Sequence, residues 1–170
     1  MFEEHSGKPA TQGAAMTTIN FTAMAADEAD AFRNGKPDAN GQVPERHHTT
    51  GTLPCRVCLG HIKDGESVLL LAYRPFPTLQ PFAETGPIFI HAESCSPDES
   101  HGSLPAMLDS PDYIIRGYSH DNRIVYGTGA VTVTDMITQR AEELLARDDI
   151  AYVHVRSARN NCYQCRIDRA

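Results

Sequence analysis

The stretch that decides the fold spans residues 54–95. It begins PCRVCLGHIKDGESVLLLAYRPF at residue 54, continues through a proline-spaced link and ends GPIFIHAESC at residue 95. Residues 67–74 are apolar on both faces, which is typical of a strand in the middle of a sheet that is covered on both sides. Pro75 and Pro77 end this strand because proline cannot donate to a ladder. Gly86 and Pro87 then introduce a second strand at residues 88–91.

The flanking sequence predicts further elements on both sides. Before the stretch we expect a strand at 17–22, a helix at 25–33 and a long surface loop at 35–53, which carries His47 and His48. After it we expect one helical turn at 104–108 and a hairpin of 113–118 with 123–126. A helix capped by Thr134 or Asp135 and ending near residue 147 follows, and then strands at 151–156 and 162–168.

The helix near residue 140 has the clearest pattern in the chain. Its apolar residues recur at i, i+4, i+7 and i+8, a spacing that forms one buried stripe: Ile137, Ala141, Leu144 and Leu145. Strands outnumber helices and pair mostly as neighbours. The sequence therefore predicts one α+β domain over residues 16–170, with a mostly antiparallel sheet and one main helix.

Composition narrows the functional classes. The 22 acidic residues exceed the 15 basic residues, and a net charge of −7 argues against binding to nucleic acid. Residues 1–15 are polar and are expected to be a disordered extension without the features of a signal peptide. No apolar run approaches the length of a membrane span. We therefore expect a cytoplasmic protein.

The cysteines are the strongest functional signal. Two Cys-x-x-Cys pairs, a spacing that lets two thiolates reach one ion, occur with a histidine and a fifth cysteine, and together they offer six ligands: Cys55, Cys58, His91, Cys95, Cys162 and Cys165. Zinc takes four of them. The first four would resemble a treble-clef finger, although His91 and Cys95 stand four residues apart rather than three. The two Cys-x-x-Cys pairs would form a zinc ribbon, and a mixed site with Cys95 remains open.

Two other uses of the cysteines are open. Redox chemistry is suggested by Arg159 and Arg166, since positive charge favours the thiolates of Cys162 and Cys165. The βαβ pattern expected around a thioredoxin-like motif is missing from the sequence. Plain burial is the remaining alternative, because free cysteine is among the residue types most often buried.

A weaker set of site residues lies near the C-terminus. His154 and Arg156 alternate with valines, and a histidine beside an arginine could act on an anionic substrate, with Arg116 as an additional cation. Such alternation is also the norm on the solvated face of an antiparallel sheet, and we expect that arrangement here. Whether the protein is an enzyme is left open by the sequence.

Several motifs together resemble a known family. PCRVCL, GESVLLLAYRPF, GPIFIHAESC, YIIRGY and YVHVRSARNNCYQCRIDR are similar to the bacterial family of domains of unknown function numbered 1203. The resemblance spans residues 54–169 and implies a single-domain bacterial protein, without catalytic residues or partners to carry over. The sequence thus predicts a zinc-stabilised binding or adaptor domain, with an enzyme for a small anionic substrate and a thiol redox protein as alternatives.

Overall fold

A computed structural model describes residues 18–98 and 102–170, and within them every paired strand is antiparallel. The strands in chain order are β1 (Ile19–Thr22), β2 (Glu45–His48), β3 (Leu53–Pro54), β4 (His61–Ile62), β5 (Ser67–Tyr73), β6 (Gly86–His91), β7 (Asp112–Tyr118), β8 (Ala130–Val133), β9 (Tyr152–Ser157) and β10 (Tyr163–Arg169). The helices are α1 (Ala26–Arg33) and α2 (Ile137–Leu145), the latter preceded by a 3₁₀ turn at Thr134–Met136. The expected extension at residues 1–15 lies outside the described residues.

In the part of the chain that the structure describes, two larger sheets and one ribbon make up a single domain. The first sheet has the strand order β1-β10-β9-β7-β8, the second has the order β2-β5-β6, and β3 with β4 forms a two-stranded ribbon. The expected α+β class with a mostly antiparallel sheet is therefore confirmed. Of the described helices, none is long and apolar enough to cross a membrane.

Helix α2 covers one face of the five-stranded sheet. The predicted stripe is buried as expected, with Ile137 and Ala141 at 0% exposure, and it packs on the valines of β9. The predicted cap by Thr134 or Asp135 is wrong, because the Thr134 hydroxyl donates to the Ser110 carbonyl and no side chain among the described residues accepts from the first amides of the 3₁₀ turn or of α2. The 3₁₀ turn supplies the start of the helix instead.

The three-stranded sheet has its own core. β5 lies at its centre, as its apolar sequence predicts, and Val68 and Leu71 pack with Ala29 and Phe32 of α1. The expected loop at 35–53 is wrong in part, since Glu45–His48 pairs with β5 as an edge strand. All four of its residues are exposed, so it carries no hydrophobic alternation that would reveal it.

Two further predictions are corrected after residue 100. Residues 104–108 form a turn rather than a helical turn, with one bond from the Leu108 amide to the Pro105 carbonyl. The turn at 119–122 exists, but its second strand is reduced to a single bridge at Ile124. The buried Thr128 hydroxyl contacts the Gly117 backbone, and the chain turns there so that β8, rather than 123–126, pairs along β7.

Candidate metal centre

The ribbon of β3 and β4 builds the first half of the site. The Cys55 amide donates to the Gly60 carbonyl at 3.0 Å, which closes the turn that carries both cysteines. Leu59 has a φ of 51°, a left-handed conformation that costs about 1–3 kcal/mol for a branched residue. Its side chain is only 1% exposed and packs in the core under α2. This contact holds the turn against the core of the five-stranded sheet. Cys55 and Cys58, on the same turn, pack with the core of the three-stranded sheet.

The second half comes from the end of β6. His91 is the last residue of the strand and pairs in register with Val68 of β5. The chain then turns, and Cys95 follows four residues later. Because β5 leads directly out of the ribbon, its pairing with β6 returns His91 and Cys95 to the first two cysteines.

The four side chains meet at one point. One donor atom from each of Cys55, Cys58, His91 and Cys95 lies within 4.8 Å of all the others. The Cys55 and Cys95 sulfurs are 3.8 Å apart, and the Cys58 sulfur lies 3.7 Å from His91 Nδ1. Zn–S bonds of about 2.3 Å place tetrahedral sulfurs about 3.8 Å apart, so this donor set fits a tetrahedral ion. The cluster could therefore hold a metal ion.

The three clustered thiols shift one another's pKa values, and a bound cation would change those shifts. A hydrogen bond from Cys58 lowers the pKa of the Cys55 thiol to about 4 and raises the pKa of Cys58. Burial raises the pKa of Cys95, although the Arg33 guanidinium opposes that shift. Protons thus hold two of the three sulfurs neutral, and a divalent cation would take the place of those protons.

Two side chains that sequence reasoning missed surround the cluster. Arg33 of α1 donates from Nη2 to the Cys95 sulfur at 3.5 Å and from Nε to the His91 carbonyl at 3.1 Å. Glu66 lies 3.4 Å from His91 Nε2 and is held by the Lys63 amide at 2.7 Å. A carboxylate that accepts a hydrogen bond from Nε2 would hold the histidine ring in the orientation in which Nδ1 can bind a metal ion. No sequence signal links Arg33 to a cysteine 62 residues away.

The second Cys-x-x-Cys lies elsewhere. Cys165 is 1% exposed in β10 and packs under α2, while Cys162 is half-buried before that strand. Burial raises the pKa of Cys165, which keeps the thiol protonated. The arginines expected to favour thiolates are engaged by Asp168 and Asp112. Within the described ranges, neither cysteine joins the cluster.

The face of β9 that carries His154 is buried, so the expected solvated face is wrong. His154 is 0% and Arg156 3% exposed, because the segment between β5 and β6 folds over them. Phe76 of that segment lies 5.2 Å from the His154 ring. Glu84 of the same segment lies 2.8 Å from Arg156 and 3.2 Å from Arg116.

These three side chains converge, and of them Arg116 lines a shallow surface cavity together with Glu84, while His154 and Arg156 are buried. Arg116 and His154 are register partners on adjacent strands, but Glu84 already occupies both arginines. Burial, with a further contribution from Arg156, holds the pKa of His154 well below its usual value. The ring is therefore neutral, and neither of its nitrogens has a hydrogen-bond partner among the described residues.

Comparison with known proteins agrees with the motif resemblance. The profile of a family described as "protein of unknown function (DUF1203)" matches residues 52–169, a range that includes the four clustered donors and the buried face of β9. No curated protein and no solved structure is significantly similar to the chain. The matched range covers more than half of the chain, and the protein therefore belongs to the DUF1203 family.

Proposed function

We propose that the protein is a zinc-stabilised binding or adaptor domain, in which Cys55, Cys58, His91 and Cys95 hold one zinc ion. The observation that carries the proposal is the approach of all four donor atoms to within 4.8 Å of one another. Three sulfurs and one imidazole nitrogen form a donor set known from structural zinc sites. Soft thiolate ligands also disfavour magnesium and calcium, which take oxygen ligands.

The number of ligands supports a structural role for the ion. Catalytic zinc has three protein ligands and an open fourth position, whereas here the protein supplies all four. The ion would join the ribbon turn, the end of β6 and the turn at Cys95, which are distant in sequence. Because such a site does not exist in the unfolded chain, zinc binding would add to the stability of the fold. A zinc ion with four protein ligands has no open position for a substrate, which supports a domain that acts by binding rather than by catalysis at the metal.

Metal analysis of the purified protein tests this proposal. We expect about one zinc per chain in the wild type and in Cys162→Ser, and much less than one in Cys58→Ser. Cys162→Ser is a matched control because it removes a half-buried cysteine outside the cluster. A strong chelator should lower the Tm of the wild type. Metal-free wild-type protein, or equal zinc loss in both variants, would remove the proposal.

The alternative of an enzyme for an anionic substrate has less support. Its residues converge, as the hypothesis requires, but Phe76 and Glu84 cover them. A substrate would have to displace the Glu84 carboxylate from two arginines. The redox alternative is also weaker, because burial keeps the Cys165 thiol protonated and a thiol is a poor nucleophile.

A further inference from the structure

A cavity of about 250 Å³ lies between the ribbon and the start of β10. Its polar lining includes Arg56, His61, Asp109, Cys162 and Gln164. Pockets for drug-sized ligands begin near 300 Å³, so this cavity suits a smaller molecule. All of its lining residues lie within the range matched by the family.

Arg56 is the most unusual of these residues. It is only 2% exposed, and it donates from Nε to the Tyr163 carbonyl at 2.8 Å and from Nη1 to the Pro54 carbonyl at 2.9 Å. None of the ion pairs found within residues 18–98 and 102–170 includes Arg56. A guanidinium removed from water without an opposite charge is costly, and proteins rarely leave one so.

Among the described residues, the nearby groups supply that charge only in part. Those whose negative forms would stabilise the guanidinium are three thiols and a phenol: Cys162, Cys55, Cys165 and Tyr163. Burial keeps Cys165 and Tyr163 neutral. In the proposed zinc centre, three thiolates and one Zn²⁺ leave a charge of −1, which Arg33 balances by its contact with Cys95.

The carboxylate in the cavity lining is also engaged. Asp109 lies 3.0 Å from His61 Nε2, and its side chain is 67% exposed. Arg56 therefore lines a small, half-open space with a positive charge. The guanidinium fork matches the oxygens of carboxylate and phosphate, which can accept two parallel hydrogen bonds.

We propose that this cavity binds a small oxyanion, a carboxylate or phosphate compound, with Arg56 as its cationic contact. Gln164 is a second buried polar residue in the cavity lining, with 5% exposure. Its Nε2 donates to the Cys162 carbonyl at 3.1 Å, and this hydrogen bond fixes the side-chain amide at the cavity wall. The cavity is separate from the zinc centre, since none of the four zinc ligands lines it, but the charge balance at Arg56 rests on the proposed zinc centre.

Cys162 provides a reporter, because it lines the cavity and is half-buried. Alkylation by iodoacetate, an anion, is compared with alkylation by neutral iodoacetamide. Both rates are read at Cys162 by peptide mass spectrometry and divided by the rates for 2-mercaptoethanol. Attraction between a guanidinium and an anion in a partly desolvated site predicts an iodoacetate preference of about tenfold. Inorganic phosphate should slow the iodoacetate reaction more than chloride of equal ionic strength does.

Two variants distinguish an effect of Arg56 from an effect of the overall charge of the protein. Arg56→Gln should abolish the preference, whereas Arg159→Gln, which removes an equal charge from a side chain 55% exposed, should keep it. Circular dichroism checks that each variant is folded; if Arg56→Gln is not, phosphate protection of the wild type decides alone. No preference, no protection by phosphate, or an equal loss in both variants would overturn the proposal. Zinc content measured on the same samples is a separate result.

Discussion

Glu84→Gln tests how the segment between β5 and β6 is held over the five-stranded sheet. The substitution removes the carboxylate between Arg156, whose side chain is 4% exposed, and Arg116, at 17%. Breaking a fully buried ion pair costs about 3–5 kcal/mol, and an exposed pair contributes at most about 1 kcal/mol. Glu84 is 33% exposed, so water screens part of the effect. We expect a loss of about 2–3 kcal/mol.

The assay is urea and thermal unfolding followed by far-ultraviolet circular dichroism, since the chain has no tryptophan. For a chain of this size the loss corresponds to a Tm lower by about 5–10 °C. Glu93→Gln is the matched control: its partner Arg46 lies at 2.9 Å, but the two side chains are 80% and 51% exposed. It should change stability by less than about 0.5 kcal/mol. If both variants unfold alike, the reasoning is refuted.

Three further variants test neighbouring parts of the structure. His154→Phe should make the protein more stable than the wild type at low pH, because burial depresses the pKa of His154 in the native state. Below about pH 6.5 the unfolded wild type binds a proton that the native ring does not, so its free energy of unfolding should fall by about 1.4 kcal/mol per pH unit relative to the variant. Parallel profiles of unfolding free energy against pH would contradict this. Arg33→Gln should weaken zinc affinity about 10–100-fold in a chelator competition, because its contact with the Cys95 sulfur is lost; unchanged affinity would show that the contact has no effect on the metal. Gly117→Ala should cost about 1–3 kcal/mol in urea unfolding, because its new Cβ would lie 2.9 Å from the end of the buried Ile150 side chain and 3.2 Å from the Thr128 hydroxyl, which accepts from the Gly117 amide. Gly86→Ala meets no neighbour and serves as the control.

The sequence predicts those elements whose apolar pattern is produced by burial, on one face or on both. The stripe of α2 and the apolar strand β5 are such cases, and both are found where expected. β2 escapes prediction because all its side chains are exposed and its pairing depends on the backbone of β5. The prediction that the His154 face of β9 is solvated is wrong for the opposite reason. Its alternating polar residues are buried under the segment between β5 and β6, which supplies the Glu84 carboxylate to them.

The candidate site was predictable as a set of residue types but not as a geometry. Cys-x-x-Cys spacing identifies Cys55 and Cys58 as one half-site, whereas the choice between His91 with Cys95 and the second cysteine pair depends on strand register. β5 pairs with β6 so that His91 stands opposite Val68, and this register brings the donors together. Arg33 could not be inferred, since it reaches the cluster from a helix far away in sequence.

X-ray absorption at the zinc edge tests the central claim most directly, because it counts the sulfur and nitrogen atoms bound to the ion. Our account predicts three sulfurs at about 2.3 Å and one nitrogen at about 2.0 Å. His91→Cys should convert this shell to four sulfurs, and Cys162→Ser should leave it unchanged. A shell of four sulfurs in the wild type, as in a ribbon built from both Cys-x-x-Cys pairs, or a shell of oxygens would contradict the account.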